Sequence, residues 1–158
     1  MKAAKISSIK SELYNLSNTD LIDLVLKLSK FKKENKELLS YLLFLAQEED
    51  EYIKQVKYEL NLLFEQMNTN SYFYMKKTIR KILRNITKYA KYSKKTKTEI
   101  ELRIWCCQKI KTIQPSIANS NVLSNIYQRE LSKIEKLISK LHEDYHLDYE
   151  EDMDSLEL

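Results

Sequence analysis

The chain has 158 residues, with 27 Lys or Arg against 23 Asp or Glu for a formal net charge of +4, and it contains no Gly and a single Pro. That length is ordinary for one domain and suffices to bury a core without disulfides or a structural metal. The lack of Gly excludes primed hairpin turns, the dinucleotide-binding and phosphate-cradling loops and the nucleophile elbow, all of which need φ > 0 or close backbone approach.

Ile6, Ile9, Leu13 and Leu16 recur at spacings of three and four, which predicts a first helix ending near Asn15. Ser17 with Asp20 three positions on forms a capping-box-like start for a second helix, carried by Leu21, Leu24, Val25 and Leu28 to about Ser29. The stretch around Lys30 to Asn35 reads as a break or as a bend in one longer helix. Leu38, Leu39, Leu42, Leu43 and Ala46, with Tyr41, Phe44 and Leu45 on other faces, make the third helix apolar almost all round, so it is expected to be covered on several sides.

The acidic run Glu48 to Glu51 favours a new helix start through the N-terminal dipole, and Tyr52, Val56, Leu60, Leu63 and Met67 continue it. A fifth helix follows from about Tyr72 to Tyr92, with Tyr72, Met75, Ile79, Ile82, Ile86 and Tyr89 inward. The sixth, about Thr98 to Ile113, is apolar over a wide arc and is expected at the centre of the packing. It contains adjacent Cys106 and Cys107, whose side chains diverge by about 100° on a helix, so they read as small apolar residues rather than a disulfide. Pro115 breaks the chain, and Leu123, Tyr127, Leu131, Ile134, Ile138, Leu141 and Tyr145 predict a seventh helix.

The fold expected is all-α, an irregular bundle of about six to seven helices arranged as antiparallel hairpins, with a short α-solenoid as the alternative. One helical domain over residues 1–147 is expected, followed by an acidic, flexible tail over 148–158. No apolar run suits a signal-peptide core, and none approaches the ~20 residues that span a bilayer, so a cytoplasmic protein without membrane contact is expected.

Residues 16–44, with Ser17, Asp20, Leu21 and Ile22, then Lys32, Lys33, Glu34, Asn35, Lys36, Glu37, Leu38, Leu39, Tyr41 and Leu42, resemble the front end of small uncharacterised bacterial helical proteins. The resemblance implies a helical fold and a bacterial, cytoplasmic setting. It implies no catalytic residues.

Two constellations bear on function. His142, Glu143 and His146 match the zincin pattern, which puts two imidazoles one helical turn apart beside a general base, with Asp148, Glu150 or Asp152 needed as a third ligand. The plainer reading is an exposed helix end, and no cofactor is expected. The second feature is charge segregation: thirteen Lys or Arg stand against Glu99 and Glu101 between Lys76 and Lys111, while eight acids follow Lys140 unopposed, giving +11 and −8. Lys77, Lys81, Arg84, Lys88 and Lys91 share one helix face, extended by Lys94, Lys95 and Lys97. That stripe is either a solvated face or a sequence-independent phosphate track, and the acidic tail is expected to mask it. The leading functional expectation is a non-enzymatic helical adaptor that binds another macromolecule, first of all a protein. Nucleic-acid binding and metal-dependent hydrolysis are the alternatives.

Overall fold

Serine hydroxyls begin three of the helices of this glycine-free chain, and a lysine ends the longest. The Asp20 N–H donates to Ser17 Oγ at 3.2 Å, the Phe73 N–H to Ser71 Oγ at 3.1 Å and the Leu123 N–H to Ser120 Oγ at 3.5 Å, each satisfying a donor that a helix start leaves unpaired. Lys94 closes the longest helix in the left-handed region, at φ 56° and ψ 14°, with its N–H donated to the Ala90 carbonyl at 2.9 Å. Glycine usually holds that position.

The computed structural model describes residues 1–157, which form helices joined by turns and irregular connections, with no strand among them. They fall into two compact units, Met1–Phe44 and Leu45–Leu158. The first unit holds α1 (Ile6–Tyr14), α2 (Asn18–Phe31) and α3 (Lys33–Ser40). The expected break between the second and third helices is one residue wide: Lys32 is extended, at φ −142° and ψ 147°, so α2 and α3 are separate helices. They pack on each other, and Asn35 Nδ2 donates to the Leu28 carbonyl at 2.8 Å across the turn. A π turn, Tyr41–Leu45, follows.

The second unit holds α4 (Glu49–Glu65), α5 (Tyr72–Ser93), α6 (Thr96–Lys111), α7 (Asn121–Ile138) and α8 (Glu150–Asp154), with 3-10 turns at Ile117–Asn119, Glu143–Tyr145 and Leu147–Tyr149. Helix α4 packs on both α5 and α6, and α5 packs on both α6 and α7. These contacts join α4 to α7 in one packed helical bundle. Its core is Val56, Leu60, Met75, Ile79, Ile82, Ile86, Ile100, Leu102, Cys106, Cys107, Ile110, Leu123, Tyr127 and Ile134, all buried. As its wide apolar arc implied, α6 is the central element: it is buried from Thr98 to Ile110 on several sides. Tyrosine hydroxyls tie the layers together, with Tyr52 donating to the Tyr89 carbonyl at 2.8 Å and Tyr72 to the Ser116 carbonyl at 3.0 Å.

The acidic end of the chain is structured. Leu156 is fully buried, and its carbonyl accepts the Tyr127 hydroxyl at 2.7 Å. Lys111 Nζ donates to the carbonyls of Ser155 and Glu157. An apolar anchor and main-chain hydrogen bonds seat this segment. Lys77, Lys81, Arg84 and Lys91 form no ion pair with it among the described residues.

Candidate interaction surfaces

Helix α5 buries Met75, Ile79, Ile82, Ile86 and Ala90 along one side. The 3.6-residue period therefore sends Lys77, Lys81, Arg84 and Lys91 to the other, and all four are exposed. The remaining members of the expected stripe diverge from them. Lys88 is half-buried and lies 4.4 Å from the centre of the Tyr89 ring, while Lys77 stands 4.5 Å from that of Phe73. Past the left-handed Lys94, the chain turns a corner and uses its cations structurally. Lys95 Nζ pairs with Glu49 Oε2 at 2.8 Å, and Lys97 sits 3.3 Å from the centre of the Tyr145 ring. Glu49 Oε1 also accepts the hydroxyls of Ser93 and Thr98, each at 2.6 Å, so one carboxylate at the start of α4 binds the end of α5 to the start of α6. The acidic run expected to favour a helix start thus has a second role.

A different cationic surface lies between α5 and α7. Arg80, Leu83, Arg84 and Thr87 from α5 face Glu130 and Lys133 from α7 around a cleft of about 400 Å³. Lys133 is shared with a second depression of about 530 Å³ along α7, lined by Asn125, Gln128, Arg129, Ser132 and Lys136. Beneath the cleft, Arg103 of α6 and Glu130 form an ion pair in which both side chains are 4% exposed. Arg103 donates further to Glu99 Oε1 through Nε at 2.9 Å and Nη2 at 2.7 Å, and to Thr87 Oγ1 at 3.2 Å. Lys133 Nζ reaches Glu130 Oε1 at 2.6 Å. Of these residues the sequence pattern singled out Arg84 alone. The i, i+4 pair Arg80 and Arg84 and the row Arg129, Lys133 and Lys136 were the available signals, but no sequence rule joins two helices into one cleft.

The zincin pattern does not fold as a helix. Helix α7 stops at Ile138, where Ser139 Oγ donates to the Lys136 carbonyl at 3.1 Å and competes with the helical ladder. His142 instead caps a 3-10 turn: its Nδ1 accepts the Asp144 N–H at 3.4 Å and lies 3.1 Å from Asp144 Oδ2. Glu143 is exposed in that turn, and His146 Nε2 lies 3.1 Å from the Leu141 carbonyl oxygen. The two imidazoles are therefore held by separate local contacts, and no three His, Cys, Asp or Glu among the described residues group as metal ligands. Cys106 and Cys107 are buried free thiols. Burial pushes the Cys107 thiol up to about 12, the reverse of what a nucleophile needs.

The first unit carries the largest departure from expectation. Leu42, Leu43 and Phe44, read as covered on several sides, are 56%, 64% and 74% exposed. Ile6, Tyr14, Ile22, Val25, Leu26, Leu28 and Phe31 are exposed as well, and no residue of α1, α2 or α3 is buried. Three short helices in 44 residues have too little interior to hide their apolar stripes. Between α2 and α3 these stripes line a groove of about 370 Å³ formed by Val25, Leu28, Ser29, Asn35, Leu38, Leu39 and Leu42. Among the described residues no helix is long and apolar enough to cross a membrane. No protein-family model matches the chain, and neither a curated protein nor a solved structure matches it.

Proposed function

We propose that this is a non-enzymatic helical interaction protein whose first unit receives an apolar helical face of a protein partner. The observation that carries the reading is the exposure of Val25, Leu28 and Leu42 in the lining of the α2–α3 groove, with Phe31, Leu43 and Phe44 also exposed in a unit whose α1, α2 and α3 bury none of their residues. Contiguous apolar surface of this kind marks interaction sites in soluble proteins. A groove between two packed helices suits an amphipathic helix laid along it. Covering a large apolar side chain fully is worth about 1.5–3 kcal/mol. Four such anchors, each half covered on binding, therefore supply roughly 3–6 kcal/mol, a large share of the ~8 kcal/mol of a micromolar complex.

A photo-crosslinking residue placed at Leu42 of the full chain, in its native cells, tests this. A discrete crosslinked protein is expected, absent when the same residue is placed at exposed Lys54 and lost on Leu28→Glu with Leu39→Glu at unchanged helicity. Identical products from both positions, or none from Leu42, would overturn the reading.

A further inference from the structure

We infer that the cleft between α5 and α7 binds the sugar-phosphate backbone of a nucleic acid without reading its bases. Arg80 and Arg84 stand one turn apart on α5, about 6 Å along the axis, and face Lys133 of α7 across the cleft. Arg129 and Lys136 stand a turn to either side of Lys133. Arg80, Arg84, Arg129 and Lys136 are exposed and form no ion pair with a carboxylate among the described residues, so their charge is available to a ligand. The one acid in the lining, Glu130, is buried and engaged by Arg103 and Lys133, which leaves the cleft positive.

Three features select the ligand. The cations are strung along two helices rather than converging on one point, and Asn125 to Lys136 extends for roughly 16 Å, which suits a row of phosphates rather than a single one. Guanidinium forks with amide and hydroxyl donors, here Asn125, Gln128 and Ser132, are the groups that contact phosphate and sugar oxygens. Leu83 is the one apolar residue in either depression, so the apolar anchors that a lipid surface requires are missing. The floor is rigid, because Arg103 ties Thr87 of α5 to Glu130 of α7 through α6. This site lies wholly in the second unit and is independent of the apolar surface of the first.

Fluorescence anisotropy of the full chain with labelled 20-nucleotide single strands and duplexes of two unrelated sequences, across a salt series, tests the inference. Binding to both sequences with equal affinity and a steep loss with salt is expected. The fourfold variant Arg80→Gln, Arg84→Gln, Arg129→Gln, Lys136→Gln should weaken duplex binding at least tenfold. It should also reduce the slope of log affinity against log salt by about 3–4, near 0.9 for each phosphate left without its cation. Removing the same charge from the first unit, by Lys27→Gln, Lys30→Gln, Lys32→Gln and Lys36→Gln, should leave the slope unchanged. The charge-keeping pair Arg80→Lys with Arg84→Lys should bind within a few-fold of the parent, which guards against misfolding of the fourfold variant. Equal losses from both fourfold variants would show that net charge alone acts and would overturn the site. Tighter binding to polyglutamate than to the oligonucleotides would overturn the ligand, and so would strong selectivity between the two sequences.

Discussion

Replacing Arg103 by Met tests how the buried ion cluster joins α5, α6 and α7. Arg103 and Glu130 are each 3% exposed overall. Without the guanidinium, the Glu130 carboxylate stays in the interior with Lys133, whose side chain is 54% exposed, as its remaining cation. Breaking a buried pair from one side costs about 3–5 kcal/mol. The surviving lysine places the expected loss near the lower end, at roughly 3 kcal/mol, because a charge-assisted hydrogen bond of about 1.5–3 kcal/mol is retained. Glu130→Gln is milder: Arg103 keeps both bonds to Glu99, and the amide oxygen still accepts from it, so about 1.5–2 kcal/mol is expected. The double variant Arg103→Met with Glu130→Leu removes both buried charges and leaves Glu99, at 26% side-chain exposure, within reach of water. It should lie within about 1–2 kcal/mol of the parent, since apolar replacement of a buried pair is commonly close to neutral. Urea denaturation followed by far-ultraviolet circular dichroism reads the difference. At a slope of ~1.5 kcal/mol per molar, Arg103→Met should lower the midpoint by roughly 2 M and the double variant by no more than about 1.3 M. If the losses of Arg103→Met and Glu130→Leu, each measured singly, simply added in the double variant, the charges would not be coupled and this account of the cluster would fail.

Lys94→Gly should raise thermal stability by about 0.5–1 kcal/mol, a few degrees in Tm, because it relieves the steric cost of a side chain at φ 56°. Lys94→Val should lower Tm, and the same calorimetric scan checks both. Burial raises the Cys106 thiol and pushes that of Cys107 from 9.0 to about 12, so above pH 9 the unfolded chain releases protons that the folded chain keeps. The stability tied to these neutral thiols is full below pH 9 and declines as pH rises toward 12, by up to about 1.4 kcal/mol per pH unit for each thiol. Cys107→Ala should flatten the curve of denaturation midpoint against pH in that window, and an unchanged slope would contradict the assignment. Leu156→Ala should cost about 2–4 kcal/mol through the cavity it leaves, whereas Glu157→Gln should stay within about 0.5 kcal/mol; urea midpoints distinguish them.

Periodicity located the helices well where one face meets a core. The inward series Met75, Ile79, Ile82 and Ile86 of α5 and the wide arc of α6 appear in the structure as they read in the sequence. Periodicity identifies which side is apolar but not whether a neighbour covers it, and so Leu42, Leu43 and Phe44 were misplaced. The same rule ran α7 on to Tyr145, because Leu141 and Tyr145 keep the spacing while Ser139 and the His142 cap end the helix at Ile138. Net charge hid the anchor at Leu156, because a single buried leucine among acids scarcely alters the composition. The charge count over residues 76–111 located the α5 cations but stopped short of Arg129, Lys133 and Lys136. Arg103 and Glu130 stand 27 positions apart, with no spacing rule to join them.

The chain's single tryptophan, Trp105, and both of its cysteines lie on α6, inside the second unit. Indole emission and thiol capture therefore report on that bundle alone. Phe64 stacks edge-on to the indole at 5.8 Å, so separation of α4 from α6 would be felt directly as a change in emission. The first unit is silent to both probes, and its folding registers mainly in helical ellipticity. A ligand that orders α1 to α3 would increase ellipticity at constant emission, whereas opening of the bundle would change emission and expose thiols together. Three inexpensive signals thus separate events in the two halves of one chain without any introduced label.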